Sequence, residues 1–209
     1  MVEVICNFSA IVLAGGKSSR FGSPKAFAKL GHLTMIERVL GALQPHFHEI
    51  LVASKNSDAF AGLPMRAVRD LGEGMEGPLV GLYAGLRESR SEYNFVTACD
   101  MPFLSGDLIR NFCRQAATFN GPGWLVWRDQ VQPLFGVYPS NILGLVQRLM
   151  EQGERGLRVI EEVTPVLRVT WESLSPSDPY ARTCLDIDTP EEFRSACEWV
   201  QQQSGSLHA

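Results

Sequence analysis

Apolar residues along this chain gather into short runs separated by stretches of helical period. The runs are AIVLA at 10–14, EILVAS at 49–54, MRAV at 65–68, NFVTA at 94–98, WLVW at 124–127, LFGVY at 134–138, VLRVTW at 166–171 and CLDI at 184–187. Between the first two, TMIERVLGAL places Ile36, Val39, Leu40 and Leu43 on one helical face and sets Thr34 and Glu37 at capping-box spacing. The helical pattern returns in PLVGLYAGLRES from 78, SGDLIRNFCRQAATF from 105 and SNILGLVQRLMEQ from 140, with Ser105 and Ser140 as N-caps. A last helix opens at TPEEF, with Thr189 as N-cap, Pro190 at the first helical position, and Glu191 and Glu192 near the positive end of the dipole. Strands alternating with helices predict an α/β fold: a Rossmann-like, mostly parallel sheet with helices on both faces. The segment 121–139 breaks the rhythm, because only RDQVQP separates two strand-like runs, and it predicts a short antiparallel excursion. At 209 residues and 45% hydrophobic content the chain reads as a single domain over 1–203, followed by a frayed tail at 204–209.

Charge narrows the function classes. A formal net charge of -4 leaves no basic excess to track a nucleic-acid backbone, so any anion site must be local. No run approaches the roughly 20 apolar residues that span a bilayer. The apolar N-terminus lacks a basic flank and runs straight into a glycine turn, so it reads as a strand and a cytoplasmic location is expected. The cysteines at 6, 99, 113, 184 and 197 form no C-x-x-C pair and read as reduced core thiols.

In open α/β sheets ligands sit at the carboxyl ends of the strands. Here those ends carry Gly15 and Gly16, Lys55 and Asn56, Asp70, Asp100, and finally Asp186 and Asp188. Gly15 and Gly16 allow successive amides to turn toward one concavity, and Arg20 and Lys25 add positive charge nearby, an arrangement suited to a polyphosphate. Neither the P-loop pattern nor the dinucleotide fingerprint can be laid on these residues. A lone Gly-Gly would read first as a tight strand-to-helix turn with solvated lysines. The whole string L-A-G-G-x-S-x-R-x-G-x-x-K from Leu13 to Lys25 is far more specific.

That string resembles the nucleotidyltransferases of the molybdenum cofactor guanylyltransferase type. The likeness continues through EGPLVGLYAGL at 76–86, CDMPFL at 99–104, QPLFGVY at 132–138, GERGLRVIEE at 153–162 and DIDTPEEF at 186–193. The resemblance implies transfer of GMP from magnesium-bound GTP to the terminal phosphate of molybdopterin carrying molybdenum, with release of pyrophosphate. It also implies transient contacts with cofactor-pathway proteins and apo-molybdoenzymes, and no nucleic-acid or membrane partner. It assigns Leu13, Ala14, Gly15, Gly16, Lys25, Asn56, Asp70 and Asp100 to the nucleotide, Arg20, Lys25 and Asp100 to catalysis, and Asp100 to Mg2+. Arg155 and Arg158, three apart at a predicted helix start, fall with Asp188 on the acceptor side.

Several of these positions have a second reading. Asp70 also suits a turn before LGEGMEG, whose glycines 72, 74 and 77 would let that loop move over a nucleotide; Arg155 and Arg158 also suit a solvated face. Asp188 stands where guanylyltransferases often carry Asn, so a role near metal or acceptor and a role in starting the helix both remain open. Gly77, Gly81 and Gly85, four apart, permit close approach either of a ligand or of the sheet. His46 and His48 read as solvated, and neither they nor His32 and His208 suggest a general base. LAGG and QPLFGVY look like the guanylyl branch, whereas DIDTPEEF is shared with cytidylyl relatives. A cytidylyltransferase acting on molybdopterin or on another phosphorylated acceptor is the alternative enzyme, and a catalytically silent cofactor carrier the alternative class.

Overall fold

The computed structural model describes residues 5–15, 25–70, 74–174 and 181–205. In chain order the elements are β1 (Phe8–Leu13), β2 (Lys29–Leu30), β3 (Leu33–Thr34), α1 (Met35–Leu43), β4 (Ile50–Ser54), β5 (Arg66–Arg69), α2 (Pro78–Glu88) and β6 (Tyr93–Ala98). There follow α3 (Gly106–Ala116), β7 (Gly123–Trp127), β8 (Gln130–Pro139), α4 (Leu143–Glu151), α5 (Ile160–Val163), β9 (Leu167–Thr170), α6 (Trp171–Leu174) and α7 (Pro190–Gly205).

Seven strands form one sheet in the order β5-β4-β1-β6-β8-β7-β9. β1 pairs in parallel with β4 on one side and β6 on the other, and β4 pairs in parallel with β5. β8 is antiparallel to both β6 and β7, while β9 runs parallel to β7, so β8 alone opposes the rest. The antiparallel excursion is therefore present, and Arg128 and Asp129, at φ 50 and 58, make its tight turn. Pairing between β7 and β8 jumps from Trp124 with Gly136 to Leu125 with Gln132, so the ladder skips the stretch that begins at Pro133, a residue with no N–H to give.

Both faces of the sheet are covered. On one, Ile36, Val39 and Leu43 of α1 and Phe112 of α3 pack with Phe95 and Phe135, whose rings meet edge to face at 4.9 Å. On the other, Leu79 and Leu82 of α2 and Val146 and Leu149 of α4 pack against Ile11, Leu51 and Val96. α2 comes close to β1 because Gly81 and Gly85 face it: a Cβ on Gly85 would lie 2.5 Å from Ile11 Cγ2. These two glycines serve helix-on-sheet packing. A third cluster of Leu30, Met35, Ile187, Ala196 and Val200 fastens the β2–β3 hairpin to α7.

The predicted caps of α1 and α3 are present. Thr34 accepts from the Glu37 N–H while Glu37 accepts from the Thr34 N–H, and Ser105 accepts from the Leu108 N–H. Five expectations are corrected. Residues 184–187 form no strand: a 3-10 turn ends at Cys184, and Ile187 N–H bonds to the Asp100 carbonyl beyond the end of β6. Ser140 does not cap α4, since its hydroxyl donates to the Ser91 carbonyl and a single 3-10 turn precedes the helix. Arg155 and Arg158 lie in turns ahead of α5, which begins only at Ile160. His46 is buried, with its ring against Gly106 at the start of α3. Of the five cysteines expected in the core, Cys113 and Cys184 are buried, whereas Cys6 is exposed.

Candidate active site

The chain leaves β1 toward β4 and β5 on one side and then returns to β6 on the other, so the order reverses at β1 and β6. Such a switch point leaves a crevice at the carboxyl ends of the strands. Backbone bonds carry the ladder past the strand ends. Ala14 N–H donates to Ala53 O at 2.9 Å, Asp70 N–H to Ser54 O at 3.0 Å and Cys99 N–H to Leu13 O at 3.1 Å. The buried Ser54 hydroxyl donates to Ala14 O and accepts from the Asn56 N–H, each at 3.3 Å. Leu13, Ala14, Gly15, Asn56, Asp70 and Asp100 thus share one edge. The Asp70 carboxylate is buried against the Gly15 backbone, where a Cβ would stand 3.8 Å from its Oδ2.

Lys25 meets the acids of this edge. Its ammonium lies 2.9 Å from Asp100 Oδ2 and 2.7 Å from Asp188 Oδ1, and its side chain is only 13% exposed. Burial alone would lower the Lys25 pKa, but the two carboxylates outweigh it and hold the ammonium above its ordinary value. Asp188 is fixed by its own helix start: the Glu192 carboxylate accepts from the Asp188 and Thr189 N–H groups at 2.7 and 2.8 Å, and Thr189 Oγ1 accepts from the Glu192 N–H. Ile187 N–H donates to Asp100 O at 2.9 Å, joining the two acidic segments.

A third carboxyl, Asp186, stands close by. Although Asp186 is exposed at the surface, partial desolvation raises its pKa from the ordinary value, opposed by its own backbone hydrogen bond, and the charges of Asp188, Asp100 and Glu192 push it further up. Beside Asp100, burial pushes the Cys99 thiol up to about 12, so it stays a thiol at neutral pH and is no nucleophile.

The N-terminus of α2 is not an anion site, because its first amides are spent. Pro78 has no N–H, Leu79 N–H donates to Arg155 O and Val80 N–H to Gly77 O. Gly77, at φ 137, permits this seating, since a Cβ there would come within 2.7 Å of Arg155 O. The backbone of the 153–160 turn is thereby tied to the helix that follows the 74–77 segment. The Arg155 guanidinium donates to the Glu154 and Met150 carbonyls, and that of Arg158 to Val131 O. Neither bonds to Lys25, Asp100 or Asp188, and neither has a carboxylate partner among the described residues. Arg20, Gly16 and Gly72 lie outside the described residues.

Reading residue types alone missed the pairing of Lys25 with Asp188, which are 163 positions apart. It also missed Asp186 as a neighbour of that pair. The one available signal was the T-P-E-E capping pattern, which pins Asp188 at the end of a charged segment.

The sequence profile of the MobA-like NTP transferase domain matches residues 10–167. The chain belongs to that family. Among MobA-like relatives it is 32% identical, over 94% of each chain, to the molybdenum cofactor guanylyltransferase of Sinorhizobium fredii. It is 33% identical to a probable molybdenum cofactor guanylyltransferase of Pelotomaculum thermopropionicum, over 90% of this chain and 91% of the relative. Among solved structures, molybdopterin-guanine dinucleotide biosynthesis protein A from Archaeoglobus fulgidus shares the fold with a TM-score of 0.82 and 23% identity, over 93% of this chain and 99% of that one. The 2-C-methyl-D-erythritol 4-phosphate cytidylyltransferase of Thermus thermophilus also shares it, at TM-score 0.69 and 16% identity, over 91% and 98% of the two chains. No helix among the described residues is long and apolar enough to cross a membrane.

Proposed function

We propose that this MobA-like protein is a molybdenum cofactor guanylyltransferase, which transfers GMP from magnesium-bound GTP to the terminal phosphate of molybdopterin carrying molybdenum and releases pyrophosphate. The observation that carries the reading is the convergence of Lys25, Asp100 and Asp188 at the strand switch point, beside the Gly15 turn and Asp70. The relatives of matching length and at least 32% identity named above are guanylyltransferases, which favours GTP over CTP.

The donor set suits a hard divalent ion. Two carboxylates already converge on one cation, and no group of three or more His, Cys, Asp or Glu side chains able to hold an ion gathers among the described residues. An ion here would complete its shell with phosphate and water oxygens, as Mg2+ commonly does. We assign Asp100 as its ligand; when bound, Mg2+ supplies neutralisation of the charge that builds at the α-phosphate.

In this reading Leu13, Ala14 and Gly15 lie along the nucleotide with Asn56 and Asp70, and Lys25 and Arg20 draw charge from the leaving pyrophosphate. Arg155 and Arg158, which have no carboxylate partner among the described residues, hold the acceptor's phosphate. A phosphate monoester with a second pKa of about 6 is already largely dianionic at neutral pH, so its oxygen attacks the α-phosphorus in line without a general base. The protein's contribution is alignment of two mutually repelling phosphates and neutralisation of their charge.

The test is pyrophosphate release from GTP and from CTP, each with Mg2+ and molybdenum-loaded molybdopterin. Release from GTP that disappears in Asp100→Ala is the expected result. A preference for CTP moves the enzyme to the cytidylyl branch, and release from neither overturns the assignment.

A further inference from the structure

Lys25, Asp100 and Asp188 come from three distant parts of the chain and close into one charge triad. One ammonium facing two carboxylates is more than neutralised, so the triad carries a net negative charge. A triphosphate approaching it gains little from Lys25 while both carboxylates hold the ammonium. A divalent ion approaching Asp100 meets that ammonium already on the carboxylate. The Glu192 cap and the neighbouring Ile187–Asp100 bond pin the backbones of Asp188 and Asp100, whereas Lys25 reaches their carboxylates at the end of a long unbranched side chain. An ion that takes Asp100 therefore displaces a side-chain ammonium from it.

We propose that Asp188 is a positioning residue that acts through Lys25, parking its ammonium on Asp100 in the empty site so that ion and nucleotide bind together and neither binds well alone. The inference rests on the nucleotidyltransferase reading of this edge of the sheet. When Asp100 turns to an ion, Lys25 loses the Asp100 counter-charge and gains attraction for phosphate. The coupling is reciprocal, since the ion raises nucleotide affinity by the factor by which the nucleotide raises ion affinity.

Binding equilibria test this without acceptor or turnover. Mn2+ is followed by its electron paramagnetic resonance signal and GTP by calorimetry, each alone and with the other saturating. In the unmodified protein each should raise the other's affinity by about tenfold or more. Asp188→Asn keeps the side-chain shape and an acceptor oxygen but removes the charge. It should raise metal-free GTP affinity about tenfold and shrink the mutual enhancement to about twofold. Lys25→Met keeps the apolar stem and should bind Mn2+ alone about tenfold tighter than the unmodified protein. Thermal melting of each variant checks that it is folded.

An Asp188→Asn protein with unchanged metal-free GTP affinity and unchanged enhancement overturns the proposal, as does a Lys25→Met protein that binds Mn2+ no tighter. Normal GMP transfer with those results would strike this proposal and leave the function standing. Intact coupling with no transfer to molybdopterin would strike the acceptor assignment alone.

Discussion

The two ends of the parallel strands use charge in opposite ways. At the amino ends, a cleft of about 280 Å³ is lined by Phe47, His48, Ile50, Met65, Arg66 and Arg90 among others. Its central acid is fully employed: Glu49 accepts from the buried Ser9 hydroxyl, from the Arg90 N–H and from Arg66, which also donates to the Glu88 carbonyl. Ser9 in turn lies 2.7 Å from the Ser91 hydroxyl. At the carboxyl ends, one ammonium is shared by two carboxylates and a third is forced above its ordinary range. The first arrangement uses every charge to hold the fold, whereas the second pairs Lys25 with two acids and leaves Asp186 crowded beside them. Perturbed, crowded charge marks the site here better than concavity does.

Substitutions at the two ends should therefore separate activity from stability. The largest effect on activity is expected for Asp100→Ala, which should lower pyrophosphate release by about 10³-fold or more while leaving the melting curve within a few degrees of the original. The largest effect on stability alone is expected where α2 meets β1. Gly85→Val should cost about 3 kcal/mol in urea unfolding, because even a Cβ would stand 2.5 Å from Ile11. At the amino ends, Ser9→Ala should cost about 1–3 kcal/mol by leaving the Glu49 carboxylate short of a donor, with the KM for GTP unchanged.

The smallest effect is one of pH. The Asp186 pKa is raised in the folded state, so the group favours folding only below its ordinary value of 3.8 and loses that contribution as pH rises through the folded value. At pH 7 it is a cost. Asp186→Asn should raise the melting temperature at pH 7, and the gain should vanish below pH 3.8. An equal gain at both pH values would show that ionisation of this carboxyl is not the cause.

Much of the sheet was legible because its signals are local. Continuous apolar runs at 10–14, 49–54 and 94–98 became strands β1, β4 and β6, buried on both faces, and the Thr34–Glu37 spacing became a closed capping box. Local pattern failed where burial was not matched by pairing. Cys184 and Ile187 are buried like strand residues, yet their segment pairs with no strand among the described residues, and Ile187 makes its backbone bond to Asp100 instead. The two-residue strands β2 and β3 are too short to show any alternation, and their turn is signalled only by Gly31 at φ 73. In the site, Asp70 and Asp100 were visible as acids at strand ends. The pairing of Asp188 with Lys25 was not, because it depends on the path by which α7 and the β2–β3 hairpin are packed together through Leu30, Ile187 and Val200.

The most direct test of which end carries the chemistry is backbone hydrogen exchange with and without GTP and Mg2+. The account predicts new protection at residues 13–15, 54–56, 68–70 and 98–101, along the carboxyl ends of β1, β4, β5 and β6, with no change around Gln44, His48, Arg66 and Arg90. Protection confined to that second group would place the nucleotide at the amino ends and contradict the account.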